Sequence, residues 1–121
     1  MAKTVSVDFD GVIHSYESRW QGAYVISDPP VPGAIEWLEN ICRDDRFEVC
    51  IFSSRNTQYG GIDAMKNWLL ENGLSQEDLD KISFPLEKPA AVIAIDDRGF
   101  HFEGWFPSLD FISKFKPWNK K

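Results

Sequence analysis

The chain has 121 residues, 43% hydrophobic and 14% aromatic, which suits one compact domain with a modest core, and no second domain is expected. Nineteen acidic residues against 13 basic ones give a formal charge of −6, which works against sustained contact with nucleic acid or anionic membranes, so no stable nucleic-acid binding is expected. Cys42 and Cys50 have the number and spacing of neither a disulfide framework nor a zinc site, and MAKTVSV lacks the apolar run of a leader; with no stretch of about 20 apolar residues, the cytoplasm is the expected location, without membrane contact.

The first predicted element is a buried strand over Thr4 to Phe9, a run of valines that delivers two aspartates, Asp8 and Asp10, on either side of one phenylalanine. On an extended chain, residues two apart point to the same side, so both carboxylates converge. Two such charges 4 Å apart repel by about 4 kcal/mol at an effective dielectric near 20, so either one carboxyl holds a proton or a cation sits between them. A divalent metal is the preferred expectation. From His14 to Pro32 the chain is rich in Ser, Tyr, Trp, Gly and Pro, a long excursion with room for a small hairpin.

Ala34, Trp37, Leu38 and Ile41 recur at helical spacing, predicting a helix over Pro32 to Arg43. Phe47 to Phe52 (FEVCIF) reads as a second inner strand ending in Ser53, Ser54 and Arg55. A second amphipathic helix follows Gly60 and Gly61, burying Ile62, Met65, Leu69 and Trp68 and stopping at Gly73. Ser75 and Asp78 form a capping-box pattern for a short turn through Leu79, and Ile82 to Phe84 is a weak strand. The run Ala90 to Ile95, the most apolar in the chain, is a third strand, with Asp96, Asp97 and Arg98 at its tip. Beyond it come Phe100, Phe102, Trp105 and Phe106, then a last short helix opened by Pro107 and containing Leu109, Ile112 and Phe115. Strands alternating with helices make an α/β domain with a mainly parallel sheet, whose ligands bind outside the carboxyl ends of the strands. Asp8, Asp10, Ser53, Lys88, Asp96 and Asp97 are the residues expected to meet there.

A strand-end carboxylate can attack phosphorus when a metal and cations neutralise the phosphoryl oxygens, and a second carboxylate two residues on can protonate the leaving oxygen and then activate water. In such a site Ser53 can donate to a phosphoryl oxygen, Lys88 can add positive charge, and Asp96 with Asp97 can complete an oxygen-rich, magnesium-type centre. The motifs DFDGVIH, IFSSR and LEKPAAVIAIDDRGF, in this order and each at a strand end, resemble the motifs of the haloacid dehalogenase (HAD) superfamily.

The resemblance implies a Rossmann-like three-layer sandwich, magnesium dependence and phosphomonoester hydrolysis through an aspartyl-phosphate. Asp8 would be the nucleophile and Asp10 the general acid/base, its backbone carbonyl also a metal ligand. Ser53 would be the phosphate-holding hydroxyl, Lys88 the neutralising lysine, and Asp96 and Asp97 would complete the magnesium site. Either Ser53 or Ser54 can supply the hydroxyl, Ser53 being preferred because it directly follows the apolar run, and Lys81 is a poorer substitute for Lys88. About 43 residues separate Asp10 from Ser53, and the stretch to Lys88 is as short, so no cap domain fits. The expected site is open and admits a small phosphoester, a nucleotide or a polynucleotide 3′-phosphate end. His14, Ser54, Arg55 and Arg98 are candidate phosphate or leaving-group contacts, and Tyr16, Trp20 and Tyr24 candidate stacking surfaces. The alternative from another class is a non-catalytic HAD-like module that binds phosphate or a partner without turnover.

Overall fold

The structure, a computed structural model, describes residues 2–91, 93–96 and 102–114. Its centre is a sheet built from β1 (Lys3–Val7), β2 (Phe47–Ile51), β3 (Ile82–Ser83) and β4 (Ile93–Ile95) in the order β3-β2-β1-β4, every pairing parallel. Val7 of β1 stands opposite Ile51 of β2 on one side and Ile95 of β4 on the other. In β2 every residue but Glu48 is buried, and in β1 burial is confined to Val5, Ser6 and Val7, with Lys3 exposed.

Helix α1 (Ala34–Cys42) buries Ala34, Trp37, Leu38 and Ile41 as expected from their spacing, and α2 (Gly61–Glu71) buries Met65, Trp68 and Leu69, while Ile62 of the expected stripe is only partly buried. The short α3 (Gln76–Leu79) starts where the capping pattern predicts, with the Ser75 hydroxyl accepting the Asp78 amide at 3.1 Å. Asp78 is itself fully buried and is gripped by Arg43 at 2.8 Å and by the Ser75 hydroxyl at 3.0 Å. Burial pushes its carboxyl up, but the bonds from Arg43 and Ser75 outweigh that and hold it below the usual range. The final helix, α4 (Leu109–Lys114), seats Ile112 in the core; Phe115 lies outside the described residues.

Three expectations about the elements are modified. The first strand stops at Val7, two residues early, because the Phe9 carbonyl accepts the amides of Val12, Ile13 and His14 and turns the chain at once, with Gly11 left-handed at φ 84°. The extended spacing used to converge Asp8 and Asp10 therefore does not apply beyond Asp8. The third strand, expected over Ala90–Ile95, is described over Ile93–Ile95, and among the described residues it takes an outer position beside β1. Among the described residues the long excursion forms no hairpin, only isolated bridges of His14 with Asp10 and Pro30. It is a stitched loop instead. Asp28 accepts both the amide and the hydroxyl of Ser18 at 2.6 Å. Tyr16 and Arg19 sit in left-handed backbone at φ 60° and 64°, which costs a non-glycine residue roughly 1–2 kcal/mol each.

Both cysteines are free thiols; burial pushes Cys42 up to about 11 and raises Cys50 as well. Among the described residues no helix is long and apolar enough to cross a membrane.

Candidate active site

Successive strands step from β1 to β2 to β3 in one direction, and β4 then returns to the other flank of β1. The reversal falls between β1 and β4, and in open parallel sheets the ligand crevice lies at that switch point, beyond the carboxyl ends. Asp8 and Asp96 are the first residues past those two ends. The Asp8 amide donates to the Ile95 carbonyl at 3.3 Å, which locks the two strand tips side by side. The Asp8 Oδ1 accepts the Phe9 amide at 2.8 Å, orienting the carboxylate. Asp8 and Asp96 offer carboxylate oxygens, the donors that a hard divalent cation takes. Among the described residues no three His, Cys, Asp or Glu side chains gather closely enough to hold a metal; Asp97, expected as a further ligand, lies outside them.

Asp10 follows a different course. Its carboxylate, 16% exposed, receives Arg55 as a fork, Nε to Oδ2 at 2.9 Å and Nη2 to Oδ1 at 3.1 Å. Arg55 has no exposed surface at all. Its remaining Nη1 donates to the carbonyls of Gly22, Ala23 and Val25 at 3.0, 2.8 and 3.2 Å. One guanidinium thus neutralises the carboxylate and stitches the long loop to the end of β2. A buried arginine needs such partners, since an unpaired charge there is costly.

His14 closes the other side of the same carboxylate. Its Nδ1 lies 2.9 Å from Asp10 Oδ1, and its Nε2 accepts the Asp28 amide at 3.2 Å. An amide can only donate, so with neutral His14 the ring proton sits on Nδ1 and points at Asp10. The ring is buried among Phe9, Tyr16 and Trp68, with centroids 5.5 to 5.9 Å away. Trp68 in turn donates from Nε1 to the Asp28 carbonyl at 3.1 Å. The side chains of His14 and Arg55, expected to contact substrate, are both turned onto Asp10.

Ser53 lies two residues beyond β2, buried, where its hydroxyl accepts the Arg55 amide at 3.1 Å and caps a 3-10 helix over Ser54–Thr57. Ser54 is exposed in the first turn of that helix. Lys88 is exposed on the link between β3 and β4. The link passes close to the carboxyl end of β2, since Asn56 Nδ2 donates both to the Ile51 carbonyl at 2.8 Å and to the Pro85 carbonyl at 2.7 Å. Lys81 precedes β3 and so belongs to the opposite, amino edge of the sheet. Arg98 lies outside the described residues. The stretch following β2 also approaches α2 closely: a Cβ on Gly61 would stand 2.0 Å from the Arg55 carbonyl.

Trp20 stands beside the fork. Its ring centroid is 4.8 Å from the Arg55 guanidinium carbon, and the residue is 44% exposed. Tyr24 is also exposed and packs its Cβ near Gly60. Asp28 was not singled out from the sequence, although it joins Ser18, His14 and Trp68; bonds from the Ser18 hydroxyl and amide hold its carboxyl below the usual range. An aspartate directly before Pro29 and Pro30 reads as turn chemistry, and nothing local announces its distant partners. No family model and no curated protein matches this chain.

Proposed function

We propose that this protein is a magnesium-dependent phosphomonoester hydrolase of HAD type, a capless Rossmann-like sandwich acting in the cytoplasm through an aspartyl-phosphate on Asp8. The observation that carries the reading is the pair Asp8 and Asp96 at neighbouring strand ends on the switch point of a parallel sheet, tied by the Asp8 amide to the Ile95 carbonyl. In this reading the Asp8 carboxylate attacks phosphorus and the ester oxygen departs. Asp10 stands on the leaving-group side to move the proton, and water then releases phosphate. Asp8, the Asp10 carbonyl, Asp96 and Asp97 would hold magnesium, which supplies neutralisation of charge on the phosphoryl oxygens. Ser53 or the exposed Ser54 would hold a phosphoryl oxygen, and Lys88 and Arg98 would add positive charge.

The test is release of phosphate from an aryl phosphate with magnesium. Turnover is expected to stop with chelator and to fall at least about a thousandfold in Asp8→Asn, the loss typical of removing a covalent nucleophile. Robust turnover by that variant would remove Asp8 as nucleophile. Comparing a 3′-phosphorylated oligonucleotide with mononucleotides and sugar phosphates separates end processing from small-molecule hydrolysis.

A second reading, a module that takes up phosphate or a partner without turnover, is favoured by one observation. The Asp10 carboxylate already accepts from Arg55 twice and from His14 once. A phosphorylated protein that forms and persists without releasing phosphate would support this reading over the enzyme.

A further inference from the structure

We infer that Trp20 is a stacking platform for the leaving group, and that the substrates are phosphoesters of alcohols that carry a planar aromatic ring, nucleosides foremost. The inference rests on the hydrolase reading above, which puts Asp10 on the leaving-group side of the phosphorus. From Asp10 the chain of contacts is short. Arg55 Nε lies 2.9 Å from the carboxylate, and the Arg55 guanidinium carbon lies 4.8 Å from the Trp20 ring. Trp20 therefore borders the space into which a leaving group bound at Asp10 would extend.

Two features prepare the ring for this use. A cation over one face fixes the orientation of an indole that would otherwise rotate freely on a loop. The guanidinium is itself immobile, held by Asp10 and by the carbonyls of Gly22, Ala23 and Val25. Core packing does not account for the ring, because Trp20 is 44% exposed and among the described residues has no aromatic partner. An oriented indole with open surface beside a reactive centre presents a flat, sequence-tolerant surface to a base. The charge of −6 favours a single nucleotide over a long polyanion, which would need a basic track.

The experiment compares adenosine monophosphate with ribose 5-phosphate as substrates of the full chain with magnesium. Stacking on one aromatic ring predicts a KM about tenfold lower for the nucleotide. Trp20→Leu, which keeps apolar bulk but cannot stack, is expected to raise the nucleotide KM about tenfold and to leave ribose 5-phosphate within about twofold; Trp20→Phe should restore most of the preference. Equal KM values in the wild type, or a loss on both substrates alike in Trp20→Leu, would overturn the inference while the hydrolase reading stood. A binding measurement separates the two in the other direction. In Asp8→Asn, adenosine monophosphate should quench tryptophan fluorescence, and the Trp20→Leu double variant should lose that quenching. Quenching that depends on Trp20 in a protein that hydrolyses nothing supports the platform against the enzyme, and quenching that survives Trp20→Leu overturns the platform.

Discussion

Arg55 joins three parts of the chain that are far apart in sequence: the end of β2, the loop at 22–25 and the carboxylate of Asp10. Replacing it by alanine strands a mostly buried carboxylate and removes the donor to three carbonyls. Breaking a buried charge pair from one side typically costs about 3–5 kcal/mol, so Arg55→Ala should lower the urea midpoint by that much stability with little change in slope. Arg55→Lys should recover only part of it, since an ammonium cannot fork a carboxylate while reaching the loop. An unchanged midpoint in Arg55→Ala would show that the fork contributes no stability. None of this was readable from IFSSR. The motif announces polar residues at a strand end, but full burial of Arg55 and its pairing with Asp10 depend on a loop whose path no periodicity describes. His14 is the same case. A histidine in a polar loop reads as solvent-facing, and only the packing of Phe9, Tyr16 and Trp68 around it makes it part of the interior.

Among the elements, helices are the most legible in the sequence, because an amphipathic stripe is a local property. The buried set of α1, that of α2 apart from the half-buried Ile62, and the cap of α3 follow directly from residue spacing. Strand ends are less legible, since they depend on where a carbonyl finds amides. The three amides gathered on Phe9 end β1 before the residues that its hydrophobic pattern would include. The join between the 3-10 helix and α2 shows the same limit. Gly60 and Gly61 read as a helix start, yet only the structure shows that they differ in purpose. Gly60 needs left-handed backbone at φ 75°, whereas Gly61 lets the Arg55 carbonyl come within 2.0 Å of where a Cβ would stand. Gly61→Ala must push the backbone of Arg55 aside, and overpacking of this kind costs about 1–3 kcal/mol. A lowered melting temperature with loss of the nucleotide preference is expected; a variant as stable as the wild type would mean that the two segments separate easily.

At the scale of the whole molecule, the carboxyls of Asp78, Asp28 and Asp44 lie below their ordinary range. Burial raises Asp78 but Arg43 and Ser75 lower it further, Ser18 lowers Asp28, and Arg46 lowers Asp44. Each binds its proton less readily folded than unfolded, so the unfolded chain takes up protons first as the pH falls. The stability they contribute is complete above the unfolded carboxylate values near pH 4 and is lost as the pH drops through the folded ones. Urea midpoints measured from pH 7 down to pH 3 should fall mainly below about pH 4, and Asp78→Asn should flatten that fall. A midpoint that holds steady through this range would contradict the assignment. The parallel sheet and the gathering of Asp8 and Asp96 at one edge were visible in the alternation of elements, whereas the strand order was not, because pairing partners leave no local mark. That order has a colloidal consequence. The two long strands lie inside, and the outer positions fall to β3 with two residues and β4 with three among those described. So short a border gives a neighbouring chain few backbone groups on which to add a strand, and together with the uneven charge it should keep concentrated solutions of the folded protein free of fibrils.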